Sequence, residues 1–362
     1  MNELLRKFDT WLQDAGPAAL VVREHLTPVE GPDGVLFPPT FAASQDGTFK
    51  GGYNVDHFTE TENVCLIDSV GSQANRIEPL FAKAEYAALI PQIVVRAGEK
   101  TVNLLEAGHR AGDAIVRCSA LQEELQTGFR AVQNGDAALL AKIAPTSLVF
   151  GAWDSRDTQA KLPRLIASTI RAFNVRELTR SAQFVPAAEY VAAGLLDESA
   201  DKKTSDAYAE RGFVHVPASS TPGGVIATGG IRRDASLHVA ALRLLAVGGN
   251  QSDALKLLRY ILGLALTAFT YSPSGYLRQG CNLVLDPDRP REFAEVYGDG
   301  RRVAATLTHT DAVEYARAAA NDFGVGANRS VEFDKEQARK DIAGDGDKSK
   351  KKPRKSRSRT TE

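Results

Sequence analysis

Short turns rich in glycine or serine lie next to arginine at four places in this chain. They are residues 72–76 (SQANR), 155–156 (SR), 229–233 (GGIRR) and 273–278 (PSGYLR). Exposed backbone N–H groups at a turn or helix start bind phosphate oxygens, and a guanidinium group binds them through two parallel hydrogen bonds. Four such segments predict contact with an extended polyanion through its backbone and not through its sequence.

The first segment follows a short apolar run, residues 65–67, that predicts a buried strand. Ser72, Gln73, Asn75 and Arg76 then stand at the open end of a predicted helix. Pro79 is expected to open the regular part of that helix, because proline favours the first helical position. A well-capped helix with a solvated arginine fits the same residues, so this segment alone leaves both interpretations open.

Residues 145–184 form the second informative segment. We predict a short strand over 147–150, a turn at Gly151 and a helix over 157–173, because apolar residues recur there at helical spacing. Arg164 and Arg171 would share the polar side of that helix, and Arg176 and Arg180 would follow in a strand. Basic stripes of this kind are usually solvated faces, and nucleic-acid binding is the alternative.

Other basic residues lie in glycine-rich surroundings. Lys50 belongs to an aromatic loop, residues 40–58, whose rings either pin the loop to the core or stack on bases. Arg232 and Arg233 precede Asp234, which we expect to cap a helix. Arg278 follows a turn at residues 272–275. These four cations complete the set of candidate polyanion contacts.

Composition bounds the class of protein. The chain has 362 residues, 43% of them hydrophobic, which is enough for one large domain or two. Its three scattered cysteines fit a reducing cytoplasm, and neither a signal peptide nor a membrane span is predicted. Residues 255–271 predict a buried helix, because Lys256 and Arg259 interrupt the apolar run.

The formal net charge of −1 hides an asymmetry. Residues 348–359 contain eight of the 44 basic residues and no acid. Setting these eight and the terminal Glu362 aside leaves 36 basic residues against 44 acids, a net charge of about −8. The tail is therefore predicted to be disordered and able to bind a polyanion, whereas the body must bind nucleic acid through a local groove.

The remaining pattern predicts alternating strands and helices. Residues 18–26 indicate a strand, 121–132 and 136–143 two helices, and 101–105 with 114–118 a hairpin. His109 and Arg110 at its tip would usually be solvated, and contact with a phosphate backbone is the alternative. Residues 186–220 lose the core pattern, which predicts a long β-hairpin arm, and beyond residue 321 the chain becomes polar. Because nucleophile, metal-ligand and Gly-rich nucleotide motifs are missing, we predict no enzyme, metal or cofactor.

Four segments carry a family resemblance. CLIDSVGSQANRIEPLF (65–81), LLEAGHRAGDAIVRCS (104–119), LVFGAWDSRDTQAKLPRLIASTIRAFNVRELTRSAQF (148–184) and GGIRRDASLHVAALRLL (229–245) resemble the RAMP-superfamily backbone subunit of type I-G (formerly type I-U) CRISPR Cascade complexes. The resemblance covers roughly residues 3–320. By similarity to other type I backbone subunits, Ser72, Gln73 and Arg76 would meet the guide RNA, and Phe150–Gly151 and residues 272–275 would form the family's other turns.

The resemblance implies an α+β fold, a modified RRM or ferredoxin-like palm with helical insertions and a β-hairpin thumb. Residues 1–177 and 221–320 would form the palm, 178–220 the thumb, and 321–362 a polar extension ending in the basic tail. Phe150 and Trp153 become candidates for wedging between bases, although we favour core packing for Trp153.

The implied function is non-catalytic. Copies of the chain would stack head to tail along CRISPR RNA, contact its backbone and leave its bases free to pair with target DNA. Its partners would be CRISPR RNA, target DNA through the guide, copies of itself and other Cascade subunits, in the cytoplasm and away from membranes. Two rivals stay open: a ribonuclease of the same superfamily, with Asp46 or Asp56 placed by position only, and a protein-binding scaffold.

Overall fold

The computed structural model describes residues 2–249, 251–272 and 275–349. Most of the basic tail, together with Pro273 and Ser274 of the predicted turn at 272–275, lies outside these ranges. Within them no helix is long and apolar enough to cross a membrane.

Helices and strands alternate along the chain. The helices are α1 Asn2–Arg6, α2 Val70–Ile77, α3 Ala114–Arg117, α4 Gln122–Gln133, α5 Ala138–Ile143, α6 Pro145–Phe150, α7 Lys202–Glu210, α8 Val239–Leu242, α9 Gln251–Thr270, α10 His309–Phe323 and α11 Lys335–Ser349. The strands are β1 Ala19–Pro28, β2 Thr40–Phe41, β3 Gly52–Tyr53, β4 Val55–His57, β5 Asn63–Asp68, β6 Ile93–Ala97, β7 Lys100–Asn103, β8 Ala152–Trp153, β9 Lys161–Leu162, β10 Ile166–Phe173, β11 Val175–Phe184, β12 Val216–Ala227, β13 Ile231–Leu237, β14 Tyr276–Arg278, β15 Cys281–Leu285, β16 Glu292–Val296, β17 Arg302–Ala304 and β18 Arg329–Glu332.

An antiparallel sheet organises the fold, with strand order β14-β15-β1-β13-β10-β5-β4 and with β16 and β17 beside β1. Side chains alternate between its two faces, so Arg233 and Ala235 of β13 are buried on one face while Arg232 and Asp234 lie half-buried on the other. We call these the covered face and the open face. The α+β architecture, with a curled antiparallel sheet and helical elements, is the predicted one and fits an RRM-like fold.

Helix α9 forms the centre of the core beneath the covered face. It is apolar almost all round, and residues 260–270 are buried without interruption. A Cβ on Gly263 would lie 2.8 Å from Ala316 Cα, so the glycine lets α9 and α10 approach closely. The buried helix predicted over 255–271 is confirmed.

Two central strands of the sheet continue into a projecting strand pair. β10 runs into β11 through Asn174, which has a left-handed φ of 49°, and β12 returns to β13 through residues 228–230. β11 and β12 pair antiparallel, from Val175 opposite Ala227 to Phe184 opposite Val216. We call residues 175–227 the arm. Where palm ends and thumb begins remains a prediction.

Several local predictions are wrong. Residues 147–150 belong to helix α6, which opens on Pro145, and the helix predicted over 157–173 is replaced by strands β9 and β10. Residues 231–237, where Asp234 was expected to cap a helix, form strand β13. The hairpin lies at β6–β7, while residues 114–117 form α3. β-branched side chains and pairing with strands on both sides favour a strand over the helical spacing at β10.

The chain beyond residue 321 returns to the body. β18 pairs parallel to β6, from Arg329 opposite Ile93 to Glu332 opposite Arg96. Arg329 forms a two-pronged ion pair with Glu124 of α4. The polar composition of this segment therefore does not mean that the chain leaves the fold there.

Candidate nucleic-acid interface

Helix α2 begins earlier than predicted. Ser69 is its N-cap, with its hydroxyl accepting a hydrogen bond from Ser72 N at 3.2 Å. Pro79 opens only a following 3-10 turn, Glu78–Ala82. The hydroxyl therefore satisfies one of the unpaired N–H groups of the first turn, and Ser72, Gln73, Asn75 and Arg76 lie on the helix itself.

Asp68, the last residue of β5, gathers three predicted site residues. Its side chain is fully buried, at 0% exposure. Oδ2 accepts hydrogen bonds from Gln73 Nε2 at 2.7 Å and Arg76 Nε at 3.0 Å, and Oδ1 accepts one from Arg278 Nη2 at 3.0 Å. We call Arg76 and Arg278 the Asp68 arginine pair. Residues about 200 positions apart thus place two partly exposed guanidinium groups beside each other.

A cleft at the base of the arm brings Arg278 of this pair to the same surface as Arg180. Its volume is about 410 Å³, and Arg180 and Arg278 both line it, together with Phe37 and Tyr53. The Arg180 guanidinium lies 5.9 Å from the centre of the Phe37 ring. We call it the arm-base cleft. It combines cations with aromatic rings, the two groups that hold a single-stranded nucleic acid.

Two predicted contacts, Gln73 and Arg233, lie inside the protein instead. Gln73 Oε1 accepts a hydrogen bond from Ser168 Oγ at 2.9 Å, and Ser168 Oγ accepts one from Arg233 Nε at 3.1 Å. Arg233 is ion-paired with the buried Glu24. Because both residues are almost wholly buried and fully engaged, neither reaches a phosphate in this conformation.

The open face brings Arg171 and Arg232 together. They are directly opposite in the β10–β13 pair, and His25 of β1 is opposite Arg232 on its other side. We call these three residues the open-face row. Asp234 accepts hydrogen bonds from Arg232 at 2.7 Å and from Arg23 at 3.1 Å. Like charges directly opposite destabilise a sheet, so an anion on this face would be stabilising.

Phe173 adds an aromatic ring to the open face. The Arg232 guanidinium lies 4.6 Å from the centre of that ring. Arg171 donates a 2.6 Å hydrogen bond to Thr169 and has no carboxylate partner within the described ranges. The row therefore carries an arginine that no acid neutralises.

The other predicted cations are dispersed. Arg176 is exposed on the arm opposite Ile226, and Lys50 is exposed in the loop between β2 and β3. Arg164 packs its stem against Gly151, and burial, with the nearby Arg110, lowers the pKa of Arg164. These three cations therefore do not share one surface.

Asn75, the remaining predicted contact, accepts a hydrogen bond at its Oδ1 from Arg110 Nη2 at 3.4 Å.

The two aromatic candidates have opposite environments. Phe150 is fully buried, with the Arg110 guanidinium 5.4 Å from its ring centre, so it cannot enter a base stack in this conformation. Trp153 is 56% exposed and has Lys161 Nζ 6.0 Å from its ring, so the expectation of core packing is wrong. Whether Trp153 meets a base remains untested.

Arg110 is not the solvated loop tip that the sequence predicted. It is buried, with a left-handed φ of 54°, and its Nε donates to Glu78 Oε2 at 2.5 Å while Nη1 donates to Gly151 O at 3.2 Å. Burial raises the pKa of Glu78 to about 7, against the opposing effect of Arg110. This pair ties the end of α2 to the turn at Gly151.

The aspartates considered for ribonuclease chemistry lie apart. Asp46 accepts hydrogen bonds from Ser44 and Thr48 in an exposed loop, which lower its pKa to about 2. Asp56 is exposed on β4. Within the described ranges no three His, Cys, Asp or Glu side chains are grouped to hold a metal ion.

Sequence reasoning missed Asp68, His25, Phe37 and Phe173. Asp68 could have been noticed as an acid that ends a buried strand directly before a helix cap. Phe173 is two positions from Arg171, so the two share a face once the segment is known to be a strand.

The fold and the candidate site together are those of an RRM-like α+β protein whose sheet carries basic residues on both faces. Residues 20–177 match the family model described as CRISPR-associated protein GSU0053. The matched region resembles a CRISPR-associated protein family; it holds Asp68, Gln73 and Arg76, whereas Arg278 lies outside it. No curated protein matches the chain.

Proposed function

We propose that this chain is the non-catalytic backbone subunit of a type I CRISPR Cascade complex. Copies polymerise along CRISPR RNA through contacts to its phosphates and present it for pairing with target DNA. The family match supports a role in CRISPR defence. Contacts that do not read bases suit this role, because guide pairing supplies the specificity.

One observation carries the proposal: Arg180 and Arg278 line one cleft at the base of the arm, and Arg76 shares the carboxylate that binds Arg278. Two cations from distant segments line this groove beside Phe37 and Tyr53, and a third, Arg76, is linked to them through Asp68. A groove of this kind is what the acidic body requires for binding a polyanion. The open-face row and Trp153 provide secondary contacts.

The test is to purify the chain from cells that express its CRISPR array, sequence the bound RNA and measure particle mass by light scattering. Array-derived guides in a particle of several copies are the expected result. The bound guide should remain intact with and without Mg²⁺, because the proposal includes no cleavage. A monomer free of nucleic acid, in the presence of the array and partner subunits, would refute the proposal.

A further inference from the structure

We propose that Asp68 is a positioning residue that holds Arg76 and Arg278 in place for guide phosphates. This inference rests on the proposed function, since it assigns the origin of two of its contacts. Asp68 itself is fully buried and touches no ligand. Its role is to fix where two guanidinium groups stand on the surface.

The hydrogen-bond pattern leaves donors available. Arg76 uses only Nε on Asp68, and its two terminal nitrogens have no partner within the described ranges. Arg278 uses both terminal nitrogens, on Asp68 Oδ1 and on Ile67 O at 2.9 Å. Arg76 therefore presents the paired N–H groups that bind a phosphate in a fork, while Arg278 adds a fixed charge beside it.

The carboxylate is itself held from behind. Gln73 donates to Asp68 Oδ2 and accepts from Ser168, which in turn accepts from Arg233. The predicted phosphate contact of Gln73 is thereby replaced by a supporting role. Two guanidinium groups share one carboxylate, so the cluster keeps a net positive charge. An ion pair that served only to stabilise the fold would not require this excess charge.

The Asp68→Asn substitution tests the inference, because the positioning role and a purely neutralising role predict opposite changes in RNA affinity. The substitution keeps the shape of the side chain and removes one negative charge, so if the carboxylate only neutralised the arginines, its loss would raise the affinity for RNA. The positioning role predicts the reverse: affinity for mixed-sequence single-stranded RNA falls about tenfold. The plot of log K against log salt concentration becomes less steep by about 0.7, the value for one lost phosphate contact on a single strand.

Asp234→Asn is the matched control. Asp234 also joins two arginines, Arg23 and Arg232, but on the open face. Removing its charge should tighten RNA binding. A folded Asp68→Asn protein that binds as tightly as wild type, or more tightly, would overturn the positioning role.

Arg76→Lys decides the matter if Asp68→Asn does not fold. Lysine keeps the charge, but its single nitrogen cannot pair with Asp68 and also present a fork. We expect Arg76→Lys to bind RNA as weakly as Arg76→Ala, and wild-type affinity in Arg76→Lys would refute the inference. Failure of the wild-type protein to bind guide RNA would instead refute the proposed function.

Discussion

Two aspartates, each joined to two arginines, occupy opposite faces of the sheet. Asp68 is fully buried and holds Arg76 and Arg278, whereas Asp234 is 30% exposed on its side chain and holds Arg23 and Arg232. Each aspartate binds two arginines, but Asp68 also accepts a hydrogen bond from Gln73, and the two carboxylates differ in their exposure to water. Water screens the Asp234 cluster and leaves it adaptable, while burial makes the Asp68 cluster rigid.

The difference indicates how one sheet can carry two basic surfaces with separate roles. A rigid pair of guanidinium groups beside a cleft suits a ligand held in one register. A solvated row suits a ligand that is merely attracted. We therefore assign the guide to the arm-base cleft and an accessory attraction to the open-face row.

The largest expected effect concerns stability. Asp68→Ala should lower the free energy of unfolding by about 3–5 kcal/mol, because it leaves a buried ionic network without its acceptor. Asp234→Ala should change it by less than about 1 kcal/mol. Urea unfolding followed by circular dichroism measures both, and equal losses would contradict the distinction between the faces.

The next effect is on RNA affinity. Arg76→Ala combined with Arg180→Ala should weaken guide binding about 100-fold, since each lost charge-assisted contact costs about 1.5 kcal/mol. Arg278 stays on Asp68 in this variant, so the fold keeps its buried ion pair. Fluorescence anisotropy with labelled guide RNA gives the affinity.

Arg171→Ala with Arg232→Ala is the matched pair on the open face. It removes the same number of charges and should weaken binding about tenfold or less, because these contacts are solvated. A larger loss from this pair than from the arm-base pair would place the guide on the open face.

The smallest expected effect is on the pH dependence of stability. It tests whether burial of a third carboxylate, Glu78, raises the pKa of that group. Its pKa in the folded protein, about 7, lies above its ordinary value of 4.5, so the native state binds more protons between these values. Wild-type stability relative to Glu78→Gln should therefore fall as pH rises from about 4.5 to 7, by about 2 kcal/mol, and stay level above that range. Urea unfolding across this range checks it, and a rise with pH would contradict it.

The sequence predicted the fold class through the family resemblance and helix α9 through its long apolar run. It predicted an arm, but placed the hairpin over 186–220, where the chain forms α7 and only the start of β12. It failed at β10, where Leu165, Ile166, Ile170 and Phe173 also fit helical spacing. The half-buried open face of β10 carries Ala167 and Phe173, so apolar residues occur on both faces and the polar–apolar alternation of a strand is weak.

The same confusion of strand with helix led to a wrong prediction for Arg233 in the candidate site. Arg232 and Arg233 are adjacent, so in a helix both would reach solvent, but in a strand they face opposite sides. The Asp68 arginine pair needs residues about 200 positions apart to meet on one carboxylate. Such long-range pairing has no signal in a single sequence.

The arm continues two central strands of the sheet, and Asn174 is the residue at which β10 turns into β11. The Asn63 side chain fixes the backbone at this point, since it donates a hydrogen bond to Val175 O at 3.0 Å and accepts one from Val175 N at 2.7 Å. The ten residues of β11 reach about 33 Å, so a tilt of about 10° moves the far end by roughly 6 Å. That exceeds the roughly 3.4 Å between successive nucleotides in one strand of a duplex. In the proposed complex, the angle that this buried asparagine fixes would therefore decide which nucleotide the far end of the arm reaches.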